Sequence, residues 1–528
     1  MSSEATTVNA TGSLVAREAL IERRSSGLRG LMRSRSAAGL ASFALSFMVL
    51  ASLLLVSVAS AHVTFLSPPS RAEFPTWMSG PLGNLTSWFT PSRNSLKVGF
   101  TLAVGAMYLC YLVVLLCAPR LRARWVIGAV VLLHVIFFLS PPLSLTDVFN
   151  YINYGRMEIV HGLNPYTTIP LLEPHNDPTF LLSNWHHLLS PYGPLFTIFT
   201  FALVPLGVAT SFWVLKAILL LASLATLRLV WRSAELLGRD PLRATLFVGL
   251  NPVVLVWGLG GDHNDFLMIF FLMLAVYLLL RARSLRSGLR PATPATGVAA
   301  PTRPQRVLAA FDGAPRPVPA GESGPSREVL AGVALVAAVA IKASAGILLP
   351  VVLLGAARRL RLLGGMAIGA IIFGAGSIAA FGTNLPNLGE QSQLVTAVGL
   401  PNLLGNALGS GGETDTLMHV LSAVLVVAVV LCAVWAWRSH RWITASGFAT
   451  LALLFTLSWT LPWYVFWLLP LAALSRSRTL RVAAIGLGIY LMLAWVPLMT
   501  DIIHSVGFKP STTTLGQLHQ ARTQRLLH

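Results

Sequence analysis

Charge is what this chain has least of. Only 11% of its 528 residues are Asp, Glu, Lys or Arg, against 55% hydrophobic residues, which excludes every soluble globular class. Acids are scarcer still, 19 Asp and Glu against 38 Lys and Arg, so a carboxylate beside an apolar run is a marked position. Cysteine is nearly absent: Cys110, Cys117 and Cys432 each lie in an apolar run, which excludes a disulfide framework and a cysteine-based metal site. There is no Walker loop, no Gly-rich dinucleotide fingerprint and no soluble segment large enough to bind a nucleotide sugar. Chemistry on the far side of a membrane therefore needs a substrate already carried in that membrane.

What remains is hydrocarbon-compatible. Apolar runs near the roughly 20 residues needed to span a bilayer recur along the chain, which predicts an all-α polytopic membrane protein. Residues 1–38 read as a disordered, Arg-rich cytoplasmic tail, and 39–61 as an uncleaved first helix: its apolar run is longer than a signal peptide's. Residues 39–281 form an N-terminal transmembrane module with an outer loop over 143–194. Residues 282–327, rich in Pro, Ala and Arg, read as a flexible cytoplasmic linker. Residues 328–505 form a C-terminal transmembrane module, and 506–528 a C-terminal tail. The net charge of +19 follows from the bias that keeps Lys and Arg inside, and no aromatic-interleaved basic patch calls for nucleic acid. Keeping Arg281, Arg358, Arg438 and Arg476 on the cytoplasmic side gives about thirteen crossings. One strain remains: 195–231 must cross an odd number of times, so either 195–209 is re-entrant or lies on the surface, or a neighbouring Arg is not inside. The chain would then turn at Lys342, with two short helices at 328–341 and 343–357.

The polar residues gather in the outer segments. Asp147 stands at the outer end of the third helix. It reads equally as a partly desolvated general base and as a carboxylate capping the next helix. Tyr151, Tyr154, Tyr166 and Tyr192 are candidates for stacking on a sugar, and also ordinary interfacial anchors. Arg156 has the donor fork for a phosphate oxygen. Lys342 interrupts an apolar run, either snorkelling to the interface or binding a phosphate. Gly261-Asp262-His263-Asn264-Asp265 forms an outer turn, and ionisable residues at that depth are functional candidates. Asp262, His263 and Asp265 carry metal-ligand types without a fixed spacing, so a divalent metal is not favoured. Broken helices with a central Lys also occur in transporters, though no paired interruption repeats in two halves.

Taken in order, Asp147-Val148 through Asn164-Pro165-Tyr166, then Ser190-Pro191-Tyr192-Gly193-Pro194, Asn251-Pro252, Gly261 to Asp265 and Pro462-Trp463-Tyr464 carry a resemblance. The chain resembles the actinobacterial polyprenol-phosphomannose-dependent α-1,6-mannosyltransferases of the GT-C class of membrane glycosyltransferases, from about the second helix onward. The resemblance implies a multi-pass plasma-membrane enzyme with an extracytoplasmic active site. Its donor would be polyprenyl-phosphate-mannose, serving as co-substrate, and its acceptor an α-mannan or glycolipid, extended with inversion. It gives Asp147 the role of base and makes Tyr151, Tyr154, Arg156, Asn164, Tyr166, Tyr192, His263, Asn264, Asp265 and Lys342 candidates for binding substrate. Another lipid-linked sugar, arabinose or glucose, and a lipid or solute transporter are the alternatives.

Overall fold

The computed structural model describes residues 35–69, 74–286 and 326–527, so the expected tail over 1–38 and linker over 282–327 lie almost wholly outside the described residues. Among the described residues the chain is helical, with no strand. Its principal helices are α1 (Arg35–Ala61), α2 (Arg93–Cys117), α3 (Ala123–Phe138), α4 (Asp147–His161), α5 (Pro194–Phe201) and α6 (Val208–Leu236). There follow α7 (Pro241–Gly249), α8 (Asp265–Arg286), α9 (Ser326–Ile341), α10 (Leu348–Gly355), α11 (Arg359–Phe381) and α12 (Leu400–Ala407). The last are α13 (Asp415–Ser439), α14 (Trp442–Thr456), α15 (Val465–Leu474), α16 (Arg478–Trp495), α17 (Pro497–Ser505) and α18 (Thr514–Leu527).

Seven of these, α1, α2, α6, α8, α11, α13 and α16, are long and apolar enough to cross a membrane. The sequence called for about thirteen crossings, and the other apolar segments are shorter, among them Ala343–Gly355, Trp442–Thr456 and Pro462–Leu474. Burial explains how the short ones are tolerated: every residue of α15 is buried, and short helices at membrane depth persist where protein covers them. At the opposite extreme, α13 buries only Ala433 and Ala436. Its Val424, Val427 and Leu431 are more than half or about half exposed, as suits a helix solvated by lipid.

Two departures from the expected helices shape the polar end of the bundle. The segment 195–209, for which a re-entrant or surface helix was one of the two alternatives, is α5, eight residues long, followed by a 3-10 turn at Val204–Leu206. Eight residues rise only about 12 Å, so α5 cannot cross, and the long pass belongs to α6. The apolar stretch over 243–259, long enough to be read as one helix, breaks at Asn251-Pro252. Pro252 lacks an N–H, the Asn251 Oδ1 accepts the Val253 amide at 3.0 Å, and the chain resumes as a π-helix over Val254–Leu259. The last carbonyl of that stretch is fixed to the outer loop, since Leu143 N donates to Gly260 O at 2.6 Å.

The turn expected at Lys342 is present: α9 ends at Ile341, Lys342 is extended, and a 3-10 turn leads into α10. The outer loop docks directly on this turn, with Gly193 N donating to Ile341 O at 3.0 Å. Only glycine permits the approach, because a Cβ at position 193 would lie 2.2 Å from the Ala340 carbonyl oxygen. Residues 506–528, expected as a tail, contain α18, which reaches the same region: His187 N donates to Leu526 O at 3.1 Å.

Gly193→Val should therefore lift the outer loop from α9. The overpacking cost, about 1–3 kcal/mol, should appear as a lower unfolding temperature in detergent and as faster proteolysis within 143–194, while Gly105→Ala, in α2 with open space around it, should leave the docking of the loop intact.

Candidate active site

Three distant segments meet where the outer loop touches the bundle. Asp147 is in the first turn of α4, where the helix dipole favours an anion. The N-cap is Thr146, which makes no capping hydrogen bond. The chain arrives there through Ser144 in the left-handed region (φ 59), pinned by its N–H to Leu66 O and its hydroxyl to Phe65 O, each 2.8 Å. Asp265 opens α8 and Lys342 closes α9. Lys342 Nζ lies 2.9 Å from Asp265 Oδ1 and 3.0 Å from Oδ2, and the indole N–H of Trp467 donates to the same carboxylate. The ammonium also sits over two rings, 4.7 Å from the centre of Tyr464 and 5.2 Å from that of Trp467, an attraction that strengthens as water is removed.

These groups border a cavity of about 200 Å³, lined by Asp147, Tyr151, Tyr154, Tyr192, His263 and Lys342 together with Trp185, Trp459, Trp463 and Trp495. Tyr192 and Tyr151 meet edge to face at 4.8 Å. His263 stacks on Trp463, ring centres 3.5 Å apart. His263 Nε2 and Trp463 Nε1 are both buried and have no hydrogen-bond partner among the described residues. Buried polar nitrogens left open are costly, and both belong to residues facing the cavity. Burial pushes the Asp147 carboxyl up to about 6, against the pull of Lys342 and with a further push from Asp265. A carboxylate so placed is poised near neutral pH to accept a proton.

A second ion pair props the turn behind His263. Lys216, on α6, places its ammonium 2.9 Å from both carboxylate oxygens of Asp262. Both side chains are buried, and Asp262 itself is left-handed, φ 58. Asp262 and Asp265 are thus each taken by a lysine, and among the described residues no three His, Cys, Asp or Glu side chains are placed to hold a metal ion.

The other expected residues lie elsewhere. Arg156 donates from Nε to both oxygens of Asp177 at 3.0 Å and from Nη2 to one at 2.8 Å. His161 meets that same oxygen at 2.8 Å. Although burial pushes the Asp177 carboxyl up, the hydrogen bonds from Arg156, Thr179 and His161 hold it well below the usual carboxylate range. Asn164 ties the loop to α11 through Phe381 O at 3.1 Å. Tyr166 donates to Tyr192 O at 2.8 Å and to Thr197 Oγ1 at 3.1 Å, with its ring 4.4 Å from that of Phe381. These three brace the loop and do not line the cavity. Asn264 is fully buried, its side-chain oxygen and nitrogen unpartnered among the described residues, and its N–H lies 3.4 Å from the Tyr151 hydroxyl. Lys216 and Trp467 were not among the expected site residues, and Trp463 was noted only within the Pro462-Trp463-Tyr464 motif. For Lys216 the signal was a lone ammonium in an apolar run; for the tryptophans it was the aromatic density of 459–467.

A family model described as Alpha-(1->6)-mannopyranosyltransferase, N-terminal domain, matches residues 46–358, a span holding Asp147, His263, Asp265 and Lys342. The chain belongs to this family. A second model, the MptB C-terminal domain, matches residues 395–517. Relatives of this mannopyranosyltransferase family include the Alpha-(1->6)-mannopyranosyltransferase A of Mycobacterium tuberculosis, 27% identical over 68% of this chain and 67% of its own length. A second alpha-(1->6)-mannopyranosyltransferase of that organism is also 27% identical, over 66% of this chain and 65% of its own length. The chain therefore spans about two thirds of these relatives. The Alpha-(1->6)-mannopyranosyltransferase A of Corynebacterium glutamicum is 28% identical over 27% of this chain and 30% of its own length. No solved structure matches. The chain is accordingly a membrane-embedded glycosyltransferase.

Lys216→Met alone should leave Asp262 charged, buried and unpaired, costing about 3–5 kcal/mol. The double variant Lys216→Met with Asp262→Asn should recover most of that loss, Asn being tolerant of the left-handed backbone, in a thermal-unfolding cycle of the four proteins.

Proposed function

We propose that this protein moves mannose from polyprenyl-phosphate-mannose to an α-mannan or glycolipid acceptor at the outer face of the plasma membrane, inverting the anomeric carbon and forming α-1,6 linkages. The observation that carries this reading is the meeting of one carboxylate, Asp147, and one ammonium, Lys342, across an aromatic-lined cavity. The activity for which the family relatives are named, alpha-(1->6)-mannopyranosyl transfer, supports the sugar and the linkage. The location of the cavity among helix ends of a polytopic protein supports a donor that stays in the membrane.

In this mechanism the acceptor hydroxyl gives its proton to Asp147 as its oxygen bonds to the anomeric carbon. The bond from that carbon to the phosphate oxygen breaks on the opposite face, and the electron pair leaves with the polyprenyl phosphate. Lys342 meets the charge that develops on the leaving phosphate. Being already fixed by Asp265, Tyr464 and Trp467, it needs little reorganisation to do so. His263 and Trp463, stacked on each other in the cavity lining, pack against the sugar. Tyr151, Tyr154 and Tyr192 form the wall on which the sugar packs.

In a membrane assay with radiolabelled polyprenyl-phosphate-mannose and a short α-mannoside acceptor, Asp147→Asn should lower transfer by about 10²–10⁴-fold, with the variant still folded by thermal unfolding. Retained transfer in Asp147→Asn would remove the base assignment. Absent transfer from the mannose donor, alongside transfer from a lipid-linked arabinose or glucose, would replace the donor.

The pH profile supplies an independent check. The base acts only when ionised, so kcat/KM should fall as pH drops through about 6, the raised value for Asp147. Lys342 pulls that value down, so Lys342→Met should move the acid limb to higher pH as well as slowing turnover. An unmoved limb would show that another group sets it.

A further inference from the structure

A second cavity, of about 360 Å³, lies at the far end of the same helices. Its lining is Leu279 and Arg283 on α8, Glu328 on α9, Gly355 to Arg358 between α10 and α11, and His440 and Trp442 between α13 and α14. From Asp265 to Arg283, α8 climbs roughly 27 Å at 1.5 Å per residue, nearly the hydrocarbon thickness of a bilayer. The cavity therefore opens at the membrane face opposite the catalytic one.

Its construction is amphiphilic. The floor is apolar, made by Leu279, Gly355, Ala356 and Trp442. Gly355 lets α10 and α14 come together, since a Cβ there would sit 2.3 Å from the Trp442 Cβ. The rim carries exposed Arg358 and exposed His440, which turns the chain in the left-handed region at φ 54, beside Arg283 and the buried Glu328, both of which already have partners within the protein. Two helices begin at this rim, α11 after Arg358 and α14 after Arg441, and neither has a side-chain cap, so their first N–H groups face outward with positive dipole ends. Arg359, Arg361, Arg438 and Arg441 crowd the same helix ends. A free anion would use the rim and leave the apolar floor wet. A neutral lipid would use the floor and offer no anion to Arg358. One molecule that uses both is an anionic phospholipid, and basic pockets between transmembrane helices at this face are a known kind of lipid site.

We propose that this cavity binds an anionic phospholipid of the leaflet opposite the catalytic cavity, its phosphate between Arg358 and His440 and its glycerol and upper acyl carbons against Ala356 and Trp442. The site is separate from the proposed transfer reaction and does not depend on it.

The test uses the purified full-length protein in detergent, titrated with phosphatidylglycerol and read by native mass spectrometry. Phosphatidylglycerol should bind, phosphatidylcholine should bind far more weakly, and inorganic phosphate should not displace the lipid. Arg358→Gln combined with His440→Gln should weaken phosphatidylglycerol at least fivefold, whereas Arg122→Gln, another exposed basic residue between α2 and α3 and outside the cavity, should not. Ala357→Phe, which fills the space without touching charge, should weaken it as well and keeps the test decisive if the double variant unfolds. Equal weakening by Arg122→Gln would mean diffuse surface attraction and overturn the site. Full displacement by inorganic phosphate, or unaltered binding in Ala357→Phe and in the folded double variant, would overturn it too.

Discussion

One ammonium, held between a carboxylate and two aromatic faces, ties the two halves of this chain together. Lys342 ends α9 in the C-terminal half, Asp265 begins α8 in the N-terminal half, and Tyr464 and Trp467 come from α15 and the turn before it. In a medium that offers no water, a charge must be met by protein. Meeting this one requires three segments far apart in sequence to end at the same depth. The outer loop is registered to that point through Gly193 and Ile341, which sets Asp147 and Tyr192 beside the pair. The cavity beside them is the space left where those helix ends cannot close.

That arrangement separates the work of the loop's polar residues. Those near its two ends, Asp147, Tyr151 and Tyr192, face the cavity. Those in its middle, Arg156, His161 and Asp177, satisfy one another and give a long irregular segment a polar core of its own. Asn153 joins this core, donating to Glu173 at 2.8 Å, and burial pushes the Glu173 carboxyl up to about 8. The loop is thus a small folded unit seated on the bundle.

Much of this was legible in the sequence because a bilayer makes exceptions conspicuous. Asp147, Asp265 and Lys342 stand out as charges at the edges of apolar runs, and the turn at Lys342 follows from keeping the arginines on one side. Arg156 and Lys342 looked alike as phosphate binders. Only the tertiary structure shows that Arg156 is spent on Asp177, a pairing between loop residues that no periodicity encodes. The break at Pro252 was hidden for a related reason: the apolar composition of 243–259 is that of a full crossing, and composition does not report where a helix stops, whereas the odd crossing count over 195–231 had already made a non-crossing 195–209 one of two alternatives. Lys216 was as conspicuous as Lys342, but its partner lies 46 residues onward, at the end of a different helix.

That separation has a consequence for how the protein is made. Lys216 enters the membrane with α6, before the chain that carries Asp262 has followed. A lone lysine in an inserting helix is costly, and Lys216 lies two turns inside α6. Its charge is matched only when the next pass has come across and the left-handed turn at Asp262 has formed. The ion pair therefore cannot form until the chain has been made as far as Asp262, and a chain stopped short of that turn carries Lys216 without its carboxylate.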